Sequence, residues 1–190
     1  MNNFLKLRTL DATLIPVAIG LNLSIAFIVT TLKLPIYLDA VGTIFATLLL
    51  GLAPGIITGT FSFLIGGMIF NPVLPYFVGT QIAIAVFVHF AQKVGGYNSY
   101  KSTIISGMLL GVVAGLVSAP VIVILFGGMT GSGRSIISAF LISTGKKVLE
   151  SVVLTGLLSE PIDKTLQSLL AFWLYASLPD SLKKQLSKNV

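Results

Sequence analysis

The sequence predicts an all-α integral membrane protein: a bundle of six transmembrane helices, with both termini in the cytoplasm (N-in/C-in) and a C-terminal amphipathic helix. Of its 190 residues, 55% are hydrophobic and only 9% are charged, whereas soluble domains carry about 25% charged residues. A soluble fold of this length would leave a largely apolar surface that aggregates in water. The basic residues, which outnumber the acidic ones by 12 to 6, cluster at the ends of apolar segments. That distribution is typical of membrane topology and not of a basic nucleic-acid-binding face.

Six apolar segments are long enough to be considered as membrane spans, since crossing the hydrocarbon takes about 20 residues. They form a single membrane domain, residues 1–190, with spans at about 10–31, 36–52, 54–70, 73–92, 103–126 and 135–158. The second and third are short and are separated by a turn at Gly51–Gly55. We expect one of them to be tilted, irregular or shielded by its neighbours.

The last apolar segment, at about 163–178, differs from the others. Its core from Thr165 to Leu178 is too short to span comfortably, and Trp173 and Tyr175 suit a membrane–water interface. The sequence therefore predicts an amphipathic helix on the membrane surface or docked on a partner. A seventh span is the alternative.

The loop charges orient the predicted bundle. With the N-terminus inside, only Lys33 and Arg134 fall in outer loops. Eight basic residues fall in cytoplasmic segments: Lys6, Arg8, Lys93, Lys101, Lys164, Lys183, Lys184 and Lys188. An excess of Lys and Arg on one side marks the cytoplasm, so the count favours N-in and C-in.

Small residues recur at steps of four along two predicted spans. Gly107, Gly111 and Gly115 share one face of the fifth span, and Gly20 and Ser24 form a shorter series in the first. Such stripes let two helix backbones approach closely. The partner helix can belong to this chain or to another protein, and for the first span both interpretations stay open.

Three charges interrupt the sixth predicted span, where each centred charge costs about 2.5–3.5 kcal/mol on insertion scales. Lys146 and Glu150 are four residues apart and can pair on one face, which leaves Lys147 free. Either the three form a structural ion pair that locks the bundle, or a lysine faces a ligand-filled cavity. Asp39 is a further acidic residue near the membrane, and it could form an ion pair with a lysine or cap a helix.

Uncharged polar residues near the predicted outer ends of the spans could supply the hydrogen-bonding groups of a binding site. They are Tyr37, Asn71, Tyr76, Gln81 and Ser118. Small-molecule sites combine apolar or aromatic walls with a few such groups. These residues predict an outward-facing pocket.

Enzymatic chemistry has little support in the sequence. Residues 128–135, GMTGSGRS, match the spacing of a phosphate-binding loop with Arg134 in place of lysine, but they join two membrane helices instead of following a strand. No triad, carboxylate pair or zinc motif is present, and cysteine is absent. We expect no catalytic residue, no metal site and no cofactor in this chain. The glycine-rich loop is a candidate gate, and Arg134 could attract an anionic group.

In the order of its motifs, the chain resembles the substrate-binding S-component of energy-coupling factor (ECF) vitamin transporters. The resemblance lies in LPIYLDAVGTIFATLLLG (34–51), APGIITGTFSFLIGGMIFNP (53–72), PYFVGTQIAIAVFVHF (75–90) and SEPIDKTLQSLLAFWLYASLP (159–179). Together these segments cover over a third of the chain.

The resemblance implies a non-enzymatic subunit of an ABC-type importer in a bacterial plasma membrane. Such subunits bind a vitamin or precursor, here pyridoxine-like or hydroxymethylpyrimidine-like, and work with a membrane coupling protein (T-component) and two cytosolic ATPases that use the ATP. The family's substrate positions correspond here to Tyr37, Asp39, Asn71, Tyr76, Gln81, Arg134 and Lys147. Its coupling-protein contacts correspond to Gly20, Ser24 and Ala26.

Two other functions remain compatible with the sequence. A self-contained secondary carrier would use Lys147, Glu150 and Asp39 in proton coupling, although no inverted repeat is visible. A membrane scaffold would need no ligand at all.

Overall fold

The computed structural model describes residues 9–34 and 36–186, and every regular element in those ranges is helical. The helices are α1 (Thr9–Thr31), α2 (Val41–Leu50), α3 (Leu52–Ile69), α4 (Val78–Lys93), α5 (Tyr100–Phe126), α6 (Ser135–Ser143), α7 (Val148–Ser177) and α8 (Asp180–Leu186), with a 3₁₀ turn at Leu74–Phe77 before α4. The predicted all-α class is confirmed.

Within the described ranges, four helical stretches are long and apolar enough to cross a membrane. They are Asp11–Thr31, Leu52–Ile69, Leu74–Lys93 and Tyr100–Phe126. Large apolar side chains on the outside of the bundle, among them Met68, Ile124 and Ile136, are mostly exposed. Because so much exposed apolar surface would cause aggregation in water, the fold is that of a membrane protein with transmembrane helices.

Helix α2 is the centre of the bundle. It packs against α1, α3, α4 and α7, and all of its residues except Phe45 are buried. Its ten residues make a helix of about 15 Å, at 1.5 Å per residue. The predicted span at 36–52 therefore begins before the helix does, because residues 36–40 have no regular secondary structure.

The most extensive helix contact joins α5 to α7, and glycine makes it possible. A Cβ atom added at Gly107 would lie 2.6 Å from the Cα atom of Thr165, and one at Gly111 would lie 2.5 Å from the carbonyl carbon of Glu160. Only a residue without a side chain fits this spacing. The glycine stripe of the fifth span thus serves packing inside this chain.

The region after α5 differs from the prediction of one span at 135–158 and a separate surface helix at 163–178. Helix α6 ends at Ser143, and Gly145 adopts the left-handed φ of 90° that commonly stops a helix. A single 30-residue helix, α7, then runs through Pro161 to Ser177. Polar residues buried on one face of α7 lower its average hydropathy. Hydropathy along the sequence therefore does not identify α7 as a core helix.

The described ends of the chain lie at the same end of the bundle, which we call the terminal end. There Ile15 of α1, Leu49 of α2 and Leu186 of α8 form one apolar cluster. Of the charges used to orient the bundle, Lys6, Arg8 and Lys188 lie outside the described residues.

Two of the presumed loop charges are not in exposed loops. Arg134 and Lys164 are 4% and 2% exposed, respectively, and both lie inside the bundle. They pair there with carboxylates, so neither can report which side of the membrane a loop occupies.

Candidate functional site

A cavity of about 250 Å³ lies at the end of the bundle opposite the terminal end. Three segments between the long helices meet around it: residues 32–34 together with 36–40, residues 70–77, and residues 127–134. Residues of α1, α3, α4, α5 and α7 complete its lining. We call this space the cavity.

The segment before α2 forms part of the cavity wall because α7 satisfies its backbone. Asp163 Oδ1 accepts hydrogen bonds from the backbone N–H groups of Tyr37 and Leu38, both at 3.0 Å, and Gln167 Oε1 accepts one from Ala40 at 2.9 Å. Irregular backbone inside a membrane protein is tolerated only when its polar groups find partners. Polar residues in the middle of α7 supply those partners.

Five ionisable side chains form a charge cluster beside this segment: Asp39, Arg134, Glu160, Asp163 and Lys164. The Lys164 Nζ atom donates to Asp163 Oδ2 at 2.9 Å and to Asp39 Oδ1 at 3.2 Å, and lies 3.7 Å from Glu160 Oε2. The Arg134 guanidinium group donates to Glu160 Oε1. Ion pairing of this kind makes buried charges tolerable.

Tyr37 joins the charge cluster to the glycine-rich loop. The Arg134 guanidinium carbon lies 4.7 Å from the centre of the Tyr37 ring, and the Tyr37 hydroxyl group is 3.1 Å from Ser132 Oγ. Burial raises the pKa of the Tyr37 phenol, which opposes the lowering effect of the nearby guanidinium group. The phenol therefore stays protonated and able to donate a hydrogen bond.

A second polar network, in the middle of the bundle, fixes Gln81 at the cavity wall. Asn22 Nδ2 donates to Thr43 Oγ1 at 2.9 Å and to Ser62 Oγ at 3.1 Å, while Asn22 Oδ1 accepts from the Gly42 N–H group. Thr43 Oγ1 in turn donates to Gln81 Oε1 at 2.7 Å. These bonds link four helices, and they cap the first turn of α2 from a neighbouring helix.

Aromatic side chains make up much of the rest of the wall. Phe63, Phe70 and Phe77 line the cavity, and the Phe77 ring stacks on Phe126 with centroids 6.1 Å apart. Flat apolar surfaces and a few fixed polar groups are what small-molecule sites require.

Of the sequence-predicted substrate residues, four line the cavity: Tyr37, Asp39, Asn71 and Gln81. Arg134 lies behind the wall, where it borders a smaller pocket and holds Glu160. Tyr76 is 56% exposed and packs edge-on against Phe126, outside the cavity lining.

Lys147 does not reach the cavity. It is exposed, in the turn that precedes α7. Lys146 and Glu150 do pair, at 2.8 Å, but their side chains are 41% and 50% exposed. The expectation of mid-membrane lysines here depended on an unbroken helix from 135 to 158, and the turn at 144–147 removes that premise.

The predicted coupling-protein contacts on α1 divide between two faces. Gly20 and Ser24 are exposed, so another protein could reach them. Ala26 is buried and lines the cavity instead.

Polar cavity residues that sequence reasoning missed include Thr80, Glu160 and Lys164. Glu160 and Lys164 were available from spacing, since with Asp163 and Gln167 they occupy positions i, i+3, i+4 and i+7 of one helical face. That pattern predicts a polar stripe along one helix.

The segment at residues 128–135 matches the spacing of a phosphate-binding loop, but it lacks the structural surroundings of one. No strand occurs among the described residues, and the loop follows helix α5. Thr130, Ser132 and Gly133 line the cavity, so the segment belongs to the same site.

Comparison of the chain with protein-family models, curated proteins and solved structures finds no match.

Proposed function

We propose that this chain is the substrate-binding subunit of an ECF-type importer in a bacterial plasma membrane. It crosses the membrane six times, with both termini in the cytoplasm, and captures a vitamin or vitamin precursor at the outer face. A membrane coupling protein and two ATPases then deliver the ligand inward. The observation that carries the proposal is the cavity at the end of the bundle opposite the terminal end, with buried polar groups among aromatic walls.

Polar atoms in the cavity wall support ligand binding over a purely structural role. Thr80 Oγ1 and Glu160 Oε2 are buried and have no hydrogen-bond partner within the described chain. An unsatisfied buried polar group costs about 1–3 kcal/mol. Both atoms have almost no accessible surface, so a ligand recovers that free energy only if its binding exposes them and supplies the missing partners.

Helices α2 and α7 complete the six proposed crossings. The neighbours of α2 shield it on nearly all sides, so its short length exposes little backbone to lipid. The charged residues in the middle of α7 face the interior. Neither helix needs the uniform hydropathy of an isolated span.

Small-molecule mass spectrometry of the purified, undialysed protein tests the proposal. We expect a vitamin-like compound to be released on denaturation and to raise the melting temperature when it is added back. At 100 times its Kd a ligand adds about 2.7 kcal/mol of stability. Absence of any co-purifying compound, together with no stabilisation by a panel of vitamins and precursors, would contradict it.

Thr80→Val is expected to weaken binding of the co-purified ligand about tenfold without lowering stability, because the hydroxyl group has no partner before the ligand arrives. Isothermal titration calorimetry gives the affinity, and thermal melting of the empty protein gives the stability. Lys147→Ala is the control, and its Kd should stay within about twofold of the original since Lys147 is exposed. The reverse ranking of the two variants would move the site away from the cavity.

A stand-alone proton-coupled carrier is the second candidate, and the charge cluster favours it. Lys164 lies among three carboxylates in the middle of a membrane helix, and such groups often relay protons. Uptake by proteoliposomes that contain only this chain, driven by a pH gradient, would support the carrier and exclude dependence on ATPases.

A further inference from the structure

The charge cluster carries one more negative than positive charge when all five of its groups are ionised. Its carboxylates are those of Asp39, Glu160 and Asp163, and its cations are Arg134 and Lys164. An uncompensated charge in a low-dielectric interior is costly, and a buried acid avoids that cost by staying protonated. One of the three carboxylates is therefore expected to hold a proton.

The other groups around the cavity do not cancel the excess charge. Lys33 borders the cavity, but it is exposed and forms no ion pair among the described residues, so solvent screens its charge. Tyr37 is a neutral phenol. Among the described residues, α3, α4 and α5 contribute no ionisable side chain to the cavity lining, and α2 contributes no residue to it.

A metal ion does not fit between the carboxylates, because Lys164 occupies that space. Its Nζ atom lies 2.9 Å from Asp163 Oδ2, 3.2 Å from Asp39 Oδ1 and 3.7 Å from Glu160 Oε2. Within the described residues, no group of three or more His, Cys, Asp or Glu side chains could hold a metal ion. A proton is the remaining way to balance the cluster.

Asp163 has no room for the proton. Its Oδ1 atom accepts hydrogen bonds from the N–H groups of Tyr37 and Leu38, and its Oδ2 atom accepts from Lys164 and Gln167. A carboxylate offers about four lone-pair positions, and these donors fill them. A proton on either oxygen would displace a donor, so Asp163 stays ionised.

Glu160 is an equally poor position. Its Oε1 atom accepts from Arg134, and its Oε2 atom is buried without a hydrogen-bond partner among the described residues. A proton on Oε2 would need an acceptor there. The charged neighbour of Oε2, Lys164 Nζ, can only donate.

Asp39 is the one carboxylate of the cluster that opens onto the cavity. Its side chain is 13% exposed and lines the cavity, and its Oδ1 atom accepts from Lys164. Its Oδ2 atom forms no hydrogen bond within the described chain and does not belong to the buried atoms without a partner. A proton on Oδ2 can therefore be donated to water or to a ligand in the cavity.

We infer that Asp39 is a proton-binding site of the cavity, which carries one proton at neutral pH and presents an O–H donor, while Glu160 and Asp163 stay ionised. The inference goes beyond the proposed function and does not depend on it, since the proton balances the charges of this chain alone. Burial raises the pKa of the Asp39 carboxyl against the lowering effect of Lys164, in agreement with this assignment.

Infrared spectroscopy of the full-length protein in dodecyl maltoside, a detergent without a carbonyl group, tests the inference. At neutral pH we expect the carbonyl stretch of a protonated carboxylic acid, shifted in D₂O and missing from Asp39→Asn. Glu150→Gln, a change at an exposed carboxylate, should leave this band intact. Absence of the band from the unmodified protein, or an unchanged band in Asp39→Asn, would overturn the inference.

Stability gives a second readout, because asparagine is the neutral isostere of a protonated aspartic acid. At neutral pH, Asp39→Asn should resist unfolding by SDS at least as well as the unmodified protein does. Asp163→Asn should unfold at a lower fraction of SDS, since Asp163 is ionised. If Asp39→Asn is destabilised as much as Asp163→Asn, or does not fold, Asp39 is an ionised partner of Lys164 and the inference is wrong.

The pH dependence of stability has a defined sign. Unfolding returns the Asp39 carboxyl to water, where its pKa is about 3.9, so unfolding above that pH releases the proton. The unmodified protein should therefore lose stability relative to Asp39→Asn as the pH rises. Its unfolding equilibrium constant should increase about tenfold per pH unit relative to the variant, from about pH 5 to about pH 7. A constant difference between the two proteins over this range would show that folded Asp39 holds no proton.

Discussion

Replacement of Asp163 by alanine is expected to destabilise the folded protein by about 3–5 kcal/mol, the cost typical of breaking a buried ion pair by removing one partner. Asp163 is fully buried and accepts hydrogen bonds from the backbone N–H groups of Tyr37 and Leu38 as well as from Lys164 and Gln167. Alanine would leave all of these donors without that partner. Unfolding by SDS in mixed micelles measures the loss.

The exposed ion pair of the same helix is the matched control for Asp163. Glu150→Ala removes the partner of Lys146 at a site that is half exposed, so we expect a loss of no more than about 1 kcal/mol. Asp163→Asn, which keeps an acceptor oxygen but removes the charge, should fall between the two. Similar losses for Glu150→Ala and Asp163→Ala would mean that the segment at residues 36–40 is not held by α7.

Gly111→Ala is expected to lower stability by about 1–3 kcal/mol, although alanine usually stabilises a helix. The added Cβ atom would press on the backbone of Glu160 and Pro161, which cannot rotate away as a side chain can. Helices α5 and α7 must then separate, and this also displaces Glu160 at the cavity. The same SDS titration measures stability, and ligand calorimetry measures the effect on the site.

Gly20→Ala is the control for that change. Gly20 lies within α1, and an added Cβ atom there would have nothing within 4 Å. Alanine should therefore leave stability unchanged or raise it by up to about 1 kcal/mol. Equal destabilisation by both substitutions would show that α5 and α7 are not in close contact.

The class of the protein follows from composition, while the position of its buried charges does not. Low charge content and apolar segments of about 20 residues predict a membrane-embedded helical bundle without any knowledge of packing. Lys147 and Lys164 show where that reasoning ends. Both interrupt or flank apolar sequence, and hydropathy places the first inside the membrane and the second outside. In the structure Lys147 is exposed in the turn before α7, whereas Lys164 is buried inside the bundle on a continuous α7.

The polar wall of the cavity was partly predictable. Tyr37, Asp39, Asn71 and Gln81 lie near the ends of apolar segments, and segment ends meet at the ends of a bundle. Tyr76 satisfies the same condition but points elsewhere, since the 3₁₀ turn at Leu74–Phe77 directs its neighbour Phe77 to the cavity instead. Sequence spacing alone cannot tell which of two adjacent residues faces the cavity.

From the sequence alone, then, come the all-helical membrane class, the close helix contact marked by Gly107 and Gly111, and a candidate set of polar residues. The tertiary structure decided which charges are buried and which oxygen of Glu160 lacks a hydrogen bond. The physical reason is that hydropathy and periodicity are properties of neighbours along the chain. The partners of a buried charge come from distant segments: Asp39 and Lys164 are 125 residues apart and meet only when α2 packs against α7.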